Sequence, residues 1–358
     1  MAAGFHTLRV DRVRRLTPDA VAIRFAVPDA LFEAFTFEPG QYVTLRADVG
    51  GADLRRSYSI CSDPAEPGFE VGIKRVAGGQ FSTFAQDLCV GDVLEVMPPQ
   101  GRFTWTERDG EFGEDQPDLL LLVAAGSGIT PCLSIVHAAL RAGQAVTLIY
   151  GNSRSNTVMF SDDLVALKDR YTQQFSLIHC LSREQFAGPL FHGRIDEARI
   201  TALAKAGQFA PSQIQDVFIC GPSGLPEEAS AAMAELGVDP GRVHVELFSA
   251  PGHVKVAPPV KDAVADAMVT VIVDGTEQTF PLASVDQTVL AAAQEAGLDL
   301  PFSCAGGMCS TCRCKVVEGT ADMRVNYSLE DWETEQGFVL ACQAQATSKA
   351  LVLDFDAA

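Results

Sequence analysis

Positive charge is scarce in this 358-residue chain. Its 27 Lys and Arg stand against 46 Asp and Glu, for a net charge of −19. A surface this negative repels phosphate backbones and anionic lipid, so neither nucleic acid nor membrane is expected as a partner. Long apolar runs are missing too. The longest, Leu119–Ala125, falls far short of the about 20 residues that a membrane-crossing helix needs. Met1–Val10 has no apolar segment of the secretory type, so a reducing cytoplasm is expected, with the ten cysteines free or metal-bound. Glu-x-x-His pairs are absent around all six histidines (His6, His137, His179, His192, His244 and His253). A carboxylate-bridged di-iron centre is built on such pairs, so oxygen activation is expected to belong to another polypeptide. No internal repeat occurs.

Cysteine, by contrast, is abundant and ordered. Cys304, Cys309, Cys312 and Cys342 are separated by 4, 2 and 29 residues, the plant-type spacing of a 2Fe-2S cluster. Zinc also takes four thiolates, but its sites usually pair them in two close knuckles, whereas here three crowd together and one lies far downstream. The intervening Ala305-Gly306-Gly307-Met308 and Ser310-Thr311 are mostly small. Backbone can therefore wrap an inorganic core, with glycine supplying any positive φ. Cys314 reads as an ordinary buried thiol. From Val269 to Ala358 there are 13 acidic and 4 basic residues, a net −9, which could steer this part to a basic docking surface.

The chain reads as three blocks: 1–110, 111–249 and, after an Ala-, Pro- and Val-rich linker at 250–267, 268–358. The first alternates every second residue (Val21, Ile23, Phe25, Val27) between Pro and Gly breaks, which predicts an antiparallel β-barrel with one helix at Ser82–Leu88. In the second, Leu119–Ala125, Ala145–Tyr150, Phe175–Leu181, Val217–Cys220 and Val243–Phe248 alternate with helical segments, the pattern of an α/β parallel sheet. The third opens as a hairpin, Met268–Val273 and Glu277–Leu282 around Asp274-Gly275.

Each of the first two blocks carries its own chemistry. Arg56-Ser57-Tyr58-Ser59 lies on an expected strand, and Gly78-Gly79-Gln80-Phe81-Ser82-Thr83 opens the helix. Arg56 could neutralise a pyrophosphate, Tyr58 pack on an isoalloxazine and Ser59 bond a flavin nitrogen, while Gly79 lets backbone amides approach a phosphate. As a tetrapeptide, Arg-x-Tyr-Ser also occurs in ordinary strands. Gly126-Ser127-Gly128-Ile129-Thr130-Pro131 follows a buried strand and is not the Gly-x-Gly-x-x-Gly fingerprint, so a standard dinucleotide fold does not follow from it. Cys220-Gly221-Pro222 ends another strand at the edge where open α/β sheets bind ligands, though Gly-Pro alone also reads as a turn. Ser153 and Arg154 would suit the 2′-phosphate of NADPH, and no acid immediately ends that strand to claim a free ribose diol, so NADPH is expected over NADH.

In this order the blocks resemble the ferredoxin–NADP⁺ reductase superfamily fused to a C-terminal plant-type ferredoxin, the plan of many oxygenase reductase components. The resemblance spans essentially the whole chain. It implies an FAD-binding barrel holding FAD through Arg56, Tyr58 and Ser59 with Gly79 and Ser82 as phosphate loop. It also implies a nicotinamide side at Gly128, Thr130, Pro131, Cys220 and Gly221, and a β-grasp ferredoxin domain. Glu246 and Phe248 fall where such reductases place an acid and an aromatic near the flavin, so Ser59, Cys220 and Glu246 become the candidate catalytic residues. Phe248 here leads into a linker instead of ending the chain.

Within the superfamily, the segments 54–61, 149–152, 192–196, 326–330 and 354–356 are similar to the reductase subunits of phenylacetyl-CoA epoxidase complexes. This implies electron delivery to a multisubunit di-iron epoxidase in phenylacetate degradation. Reductases of Rieske or steroid-ring hydroxylases share the domain order and remain the alternative. A non-catalytic electron carrier or zinc-structured binding protein is the alternative from another class. The linker of about eighteen residues would hold the third block at millimolar effective concentration and let it swing between flavin and acceptor.

Overall fold

In the barrel, the alternation seen in the sequence becomes a two-sided strand. Residues 4–107, 119–185, 188–248 and 258–357 are described by a computed structural model. Strands β1 (His6–Thr17), β2 (Ala20–Ala26), β3 (Tyr42–Val49), β4 (Ala52–Ser59), β5 (Phe69–Lys74) and β6 (Val93–Val96) form one sheet in the order β4-β3-β6-β1-β2-β5. Val21, Ile23 and Phe25 enter the barrel core. The intervening Ala20 and Ala22 pack into the core of the neighbouring nucleotide lobe. Phe25 stacks on Phe69 at 5.3 Å and Phe69 on Phe35 at 5.8 Å; burying each such ring contributes about 1.5–3 kcal/mol.

The helix expected at Ser82–Leu88 sits earlier. It is α1 (Gln80–Phe84), followed by a 3₁₀ turn to Asp87. Gly79 accepts the Thr83 amide at 3.1 Å, and Ser82 turns its hydroxyl back to the Gly79 carbonyl at 3.3 Å. Ser82 is therefore inside the first turn and not ahead of it.

Leu119–Ala125 forms β7, and its unbroken apolarity has a direct cause. Leu120, Leu122 and Ala124 fill one core while Leu121 and Val123 fill another across the sheet. Helix α2 (Ile129–Arg141), β8 (Ala145–Asn152), α3 (Ser161–Arg170), β9 (Phe175–Leu181), α4 (Glu197–Lys205), β10 (Ile214–Gly221), α5 (Leu225–Glu235) and β11 (Val243–Leu247) follow. All neighbouring pairs in the sheet are parallel, in the order β11-β10-β7-β8-β9. The order reverses between β7 and β10, the switch point where such sheets open a ligand crevice beyond their strand ends. Barrel and lobe are pinned by Arg14, which donates to Glu70 at 2.7 Å and to Asp163 of α3 at 3.1 Å.

The chain divides into two compact units. One holds His6–Leu54 and Tyr58–Ser249; the other holds Ala250–Ala358 with Met1–Phe5 and Arg55–Ser57. In the latter, β12 (Ala267–Val273) and β13 (Thr276–Leu282) form the expected hairpin, with Asp274 and Gly275 at φ 50° and 69°, as a type I′ turn requires. Helix α6 (Val289–Glu295), β14 (Arg313–Glu318), β15 (Ala321–Met323), α7 (Asp331–Glu335), β16 (Phe338–Leu340), β17 (Ala344–Ala346) and β18 (Ala350–Asp354) complete it. The mixed sheet runs β13-β12-β18-β14-β16. Of the expected linker, 250–257 lies outside the described residues. Among the described residues no helix is long and apolar enough to cross a membrane.

Candidate functional site

Two sheets meet at the candidate catalytic residues. β10 and β11 run parallel with Cys220 opposite Glu246, so both side chains leave the same face. Ser59, the last residue of β4, arrives from the barrel and donates to the Glu246 carboxylate at 3.4 Å, while the Cys220 thiol lies 3.8 Å from the same oxygen. Ser59 and Cys220 are buried. Glu246 is half-buried, and its carboxyl group is held between Ser59 and Cys220. Burial lifts its pKa to about 8, against the opposing bonds from Ser59 and Cys220. Burial, then the nearby Glu246, pushes the Cys220 thiol well above its usual range, so it stays protonated and is not a nucleophile.

The turn after β7 closes on this group. Gly128 packs so tightly against β10 that an added Cβ would lie 2.1 Å from the Cys220 carbonyl oxygen. Glycine is thus demanded by close approach, since its φ of −62° is open to any residue. Thr130 and Pro131 are buried in the first turn of α2, with the Thr130 hydroxyl donating to the Ser127 carbonyl at 3.0 Å. Cys220 and Gly221 end β10 beside this turn. Phe248 follows β11 and is 39% exposed.

On β4, Arg56 and Tyr58 share one face and Ser57 and Ser59 the other. Arg56 is exposed, and the Tyr58 ring is tilted against Phe81 at 5.7 Å. Gly79 has no room for a side chain, because a Cβ there would meet the Ser82 hydroxyl at 2.6 Å. Ser82 accepts from the Val76 amide at 3.1 Å. With its bond to Gly79, that hydroxyl is spent on shaping the loop.

Ser153 and Arg154 stand just past the end of β8. The Arg183 amide donates to the Ser153 carbonyl at 2.8 Å, so a second arginine joins them from the end of β9. Sequence reading missed Glu184, because it lies beyond the end of the neighbouring strand β9. Its carboxylate takes the Ser155 amide at 2.8 Å and hydroxyl at 3.0 Å, and that amide, then that hydroxyl, holds it below the usual carboxylate range. Glu184 is therefore turned onto the loop, and Arg154 is exposed.

In the other unit, the Cys304 thiol lies beside that of Cys309 and the Cys312 thiol beside that of Cys342, none of the four being in a disulfide. Among the described residues no three Cys, His, Asp or Glu side chains gather round a single ion position, so two pairs suit a two-iron core better than one zinc ion. Amides line the loop: Gly306 and Met308 donate to the Cys304 sulfur at 3.3 and 3.4 Å, and Cys304 to the Cys309 sulfur at 3.4 Å. The Cys309 thiol, with those amides, draws Cys304 down toward thiolate. Gly307 takes φ 78°, but Ala305 and Ser310 also adopt 49° and 55°. The wrapping thus extends beyond glycine, at a cost of about 1–2 kcal/mol per non-glycine residue. Cys314 is fully buried and its thiol is pushed up by burial.

Models of an oxidoreductase FAD-binding domain, an oxidoreductase NAD-binding domain and a 2Fe-2S iron-sulfur cluster binding domain match residues 7–105, 122–231 and 271–347. The chain is 41% identical over 359 residues to a component of the 1,2-phenylacetyl-CoA epoxidase of Escherichia coli (strain K12), covering 99% of this chain and 98% of that one. It is 33% identical to the ferredoxin reductase component of 3-ketosteroid-9-alpha-monooxygenase from Rhodococcus rhodochrous, covering 97% and 96%. A solved phthalate dioxygenase reductase, described as a modular structure for electron transfer from pyridine nucleotides to a 2Fe-2S centre, shares the fold at TM-score 0.60 and 24% identity over 98% of each chain.

Proposed function

Because the chain belongs to the family of FAD- and 2Fe-2S-dependent oxygenase reductases that includes this phenylacetyl-CoA epoxidase component, we propose that it carries electrons from NADPH to a separate, multisubunit di-iron epoxidase acting on phenylacetyl-CoA. The observation that carries this reading is the meeting of Ser59 with Cys220 and Glu246, which joins the barrel to the nucleotide lobe at one point. When bound, NADPH would supply one hydride, carrying two electrons, and the FAD and the cluster would supply the change from two-electron to one-electron transfer.

The chain's own residues prepare that transfer. Arg56 would face the FAD pyrophosphate and Tyr58, on the same face of β4, the flavin, with Ser57 between them in the strand and Gly79 in the phosphate loop that Ser82 shapes. Gly128, Thr130, Pro131 and Gly221 would form the nicotinamide crevice at the switch point, and Phe248 would border it. Ser153 and Arg154 would take the 2′-phosphate, which supports NADPH because Glu184 is engaged with Ser155 and does not claim a ribose diol. Up to about pH 8 the Glu246 carboxyl keeps its proton, so no fixed negative charge opposes the hydride's arrival, and Ser59 stays bonded to it. Cys304, Cys309, Cys312 and Cys342 would hold the cluster. The domains are assigned as 1–110 for FAD, 111–249 for nucleotide and 268–358 for ferredoxin.

Reconstitution tests the partner. Purified protein with NADPH should support epoxide formation by the oxygenase components of phenylacetyl-CoA epoxidase and leave a ketosteroid monooxygenase oxygenase idle. The reverse pattern would transfer the assignment to the steroid reductases.

A further inference from the structure

We propose that Gln343 is a positioning residue that sets the reduction potential of the iron–sulfur centre through a side-chain hydrogen bond to the ligand Cys342. Gln343 is 9% exposed, an uncharged polar side chain buried directly after the fourth cysteine. Its Nε2 lies 3.0 Å from the Ala305 carbonyl oxygen and 3.7 Å from the Cys342 sulfur. Both neighbours are acceptors. The amide nitrogen, with two hydrogens, satisfies both at once, whereas the amide oxygen in that place would face two acceptors with no proton between them.

One side chain therefore joins the two distant ligand segments. Through Ala305 it holds the loop between Cys304 and Cys309, and through the sulfur it reaches Cys342. The loop is closed onto its stem: a Cβ on Gly307 would approach Gln343 Cγ to 3.2 Å. Its backbone is fixed as well, with its amide on the Leu340 carbonyl at 2.8 Å and its carbonyl accepting from Arg324 at 3.1 Å. Main-chain amides donate to Cys304 and Cys309, which substitution does not remove, and Thr311 adds a side-chain bond to Cys309. Gln343 is a donor that substitution can remove.

Reduction adds one electron to the core and its thiolates. A proton donor aimed at sulfur stabilises the reduced form more than the oxidised one and raises the potential. Gln343→Met keeps the length and apolar bulk and deletes the donor. It should move the oxidised-to-reduced equilibrium about tenfold toward oxidised, which is about 59 mV more negative for a one-electron couple. Gln343→Leu should move it the same way.

The test is potentiometry of holoprotein, with cluster content fixed beforehand by iron, sulfide and absorbance. Iron release to a chelator is measured in parallel. Unchanged midpoints in fully loaded Met and Leu variants, even with faster iron release, would reduce Gln343 to a loop prop and overturn the proposal. An unmutated control covers variants that fail to load. Wild-type protein with glutamine side chains labelled with ¹⁵N should show, when reduced, a weak nitrogen hyperfine coupling by electron spin echo. Its absence would equally overturn the proposal.

Discussion

Arg313 donates from Nε to the Glu333 carboxylate at 2.7 Å, and Glu333 is wholly removed from solvent. The guanidinium lies 3.6 Å from the centre of the Phe338 ring, a cation–π arrangement favouring Arg over Lys. Arg313 follows Cys312 directly, and β14 pairs Arg313 with Leu340, two residues before Cys342. One buried ion pair thus anchors α7 against the strands that present two cysteines.

Breaking that pair from one side should be expensive. Glu333→Ala strands a buried guanidinium and is expected to destabilise the ferredoxin unit by about 3–5 kcal/mol, whereas the double change Arg313→Met with Glu333→Leu should recover most of the loss. Urea unfolding followed by cluster absorbance measures both. A single variant within 0.5 kcal/mol of wild type, roughly the size of an ordinary surface change, would mean that the pair does not hold the fold.

Glu246 gives the nucleotide unit a pH dependence of definite sign. Its carboxyl titrates near 4.5 when unfolded and is lifted to about 8 by burial. The fold favours the protonated form. Stability from this group is complete below pH 4.5, falls as pH rises toward 8 and levels off above it. Glu246→Gln keeps the shape and cannot ionise, so its melting temperature relative to wild type should climb between pH 5 and pH 8. A constant difference across that range would place the Glu246 carboxyl in water.

Much of this arrangement was legible in the sequence, and the parts that were not share a cause. Leu119–Ala125 declared a strand buried on both faces, Asp274-Gly275 a tight hairpin turn, and the cysteine spacing a cluster loop, because each is a local pattern with a local physical reason. Arg313 and Glu333 lie 20 residues apart, and Glu184 reaches the loop after β8 from the end of β9. Such pairs exist only once strands are in register. Gln343 looks like any polar residue until its burial is known. The early start of α1 was hidden for a subtler reason: Ser82 resembles a helix cap, but its hydroxyl is used within the turn.

At the far edge of the nucleotide sheet, Arg154 is exposed and Glu184 is turned toward Ser155. Arg154→Ala should raise KM for NADPH about tenfold, the worth of one charge-assisted contact of about 1.4 kcal/mol, and leave KM for NADH nearly unchanged. Steady-state ferricyanide reduction with each nucleotide reads the split. Equal increases for both would remove Arg154 from the 2′-phosphate site.

Gly128→Ala should be among the most damaging single-atom additions in the chain. Its Cβ would meet the backbone of Cys220 at 2.1 Å and the Gly221 nitrogen at 2.8 Å, and neither can rotate away. β7 and β10 must separate or α2 must shift, at a cost of several kcal/mol, on the order of the largest core-overpacking losses. Flavin retention and NADPH oxidation should fall together, read by bound FAD and by stopped-flow flavin bleaching. Normal rates would mean that the switch point is looser than the packing of Gly128 on Cys220 implies.

Cys309→Ser separates the two halves of the electron path. Hydride uptake is proposed to involve Ser59, Cys220 and Glu246, all in the unit without the cysteine loop, so flavin reduction by NADPH should proceed at the wild-type rate. One-electron delivery is proposed to run through the cluster loop, where Cys309 lies beside Cys304 and accepts its amide at 3.4 Å. Cytochrome c reduction should therefore be abolished, while ferricyanide, which takes electrons from flavin directly, should still be reduced. Loss of both activities would show that the loop supports folding of the whole protein, and survival of both would remove Cys309 from the electron path.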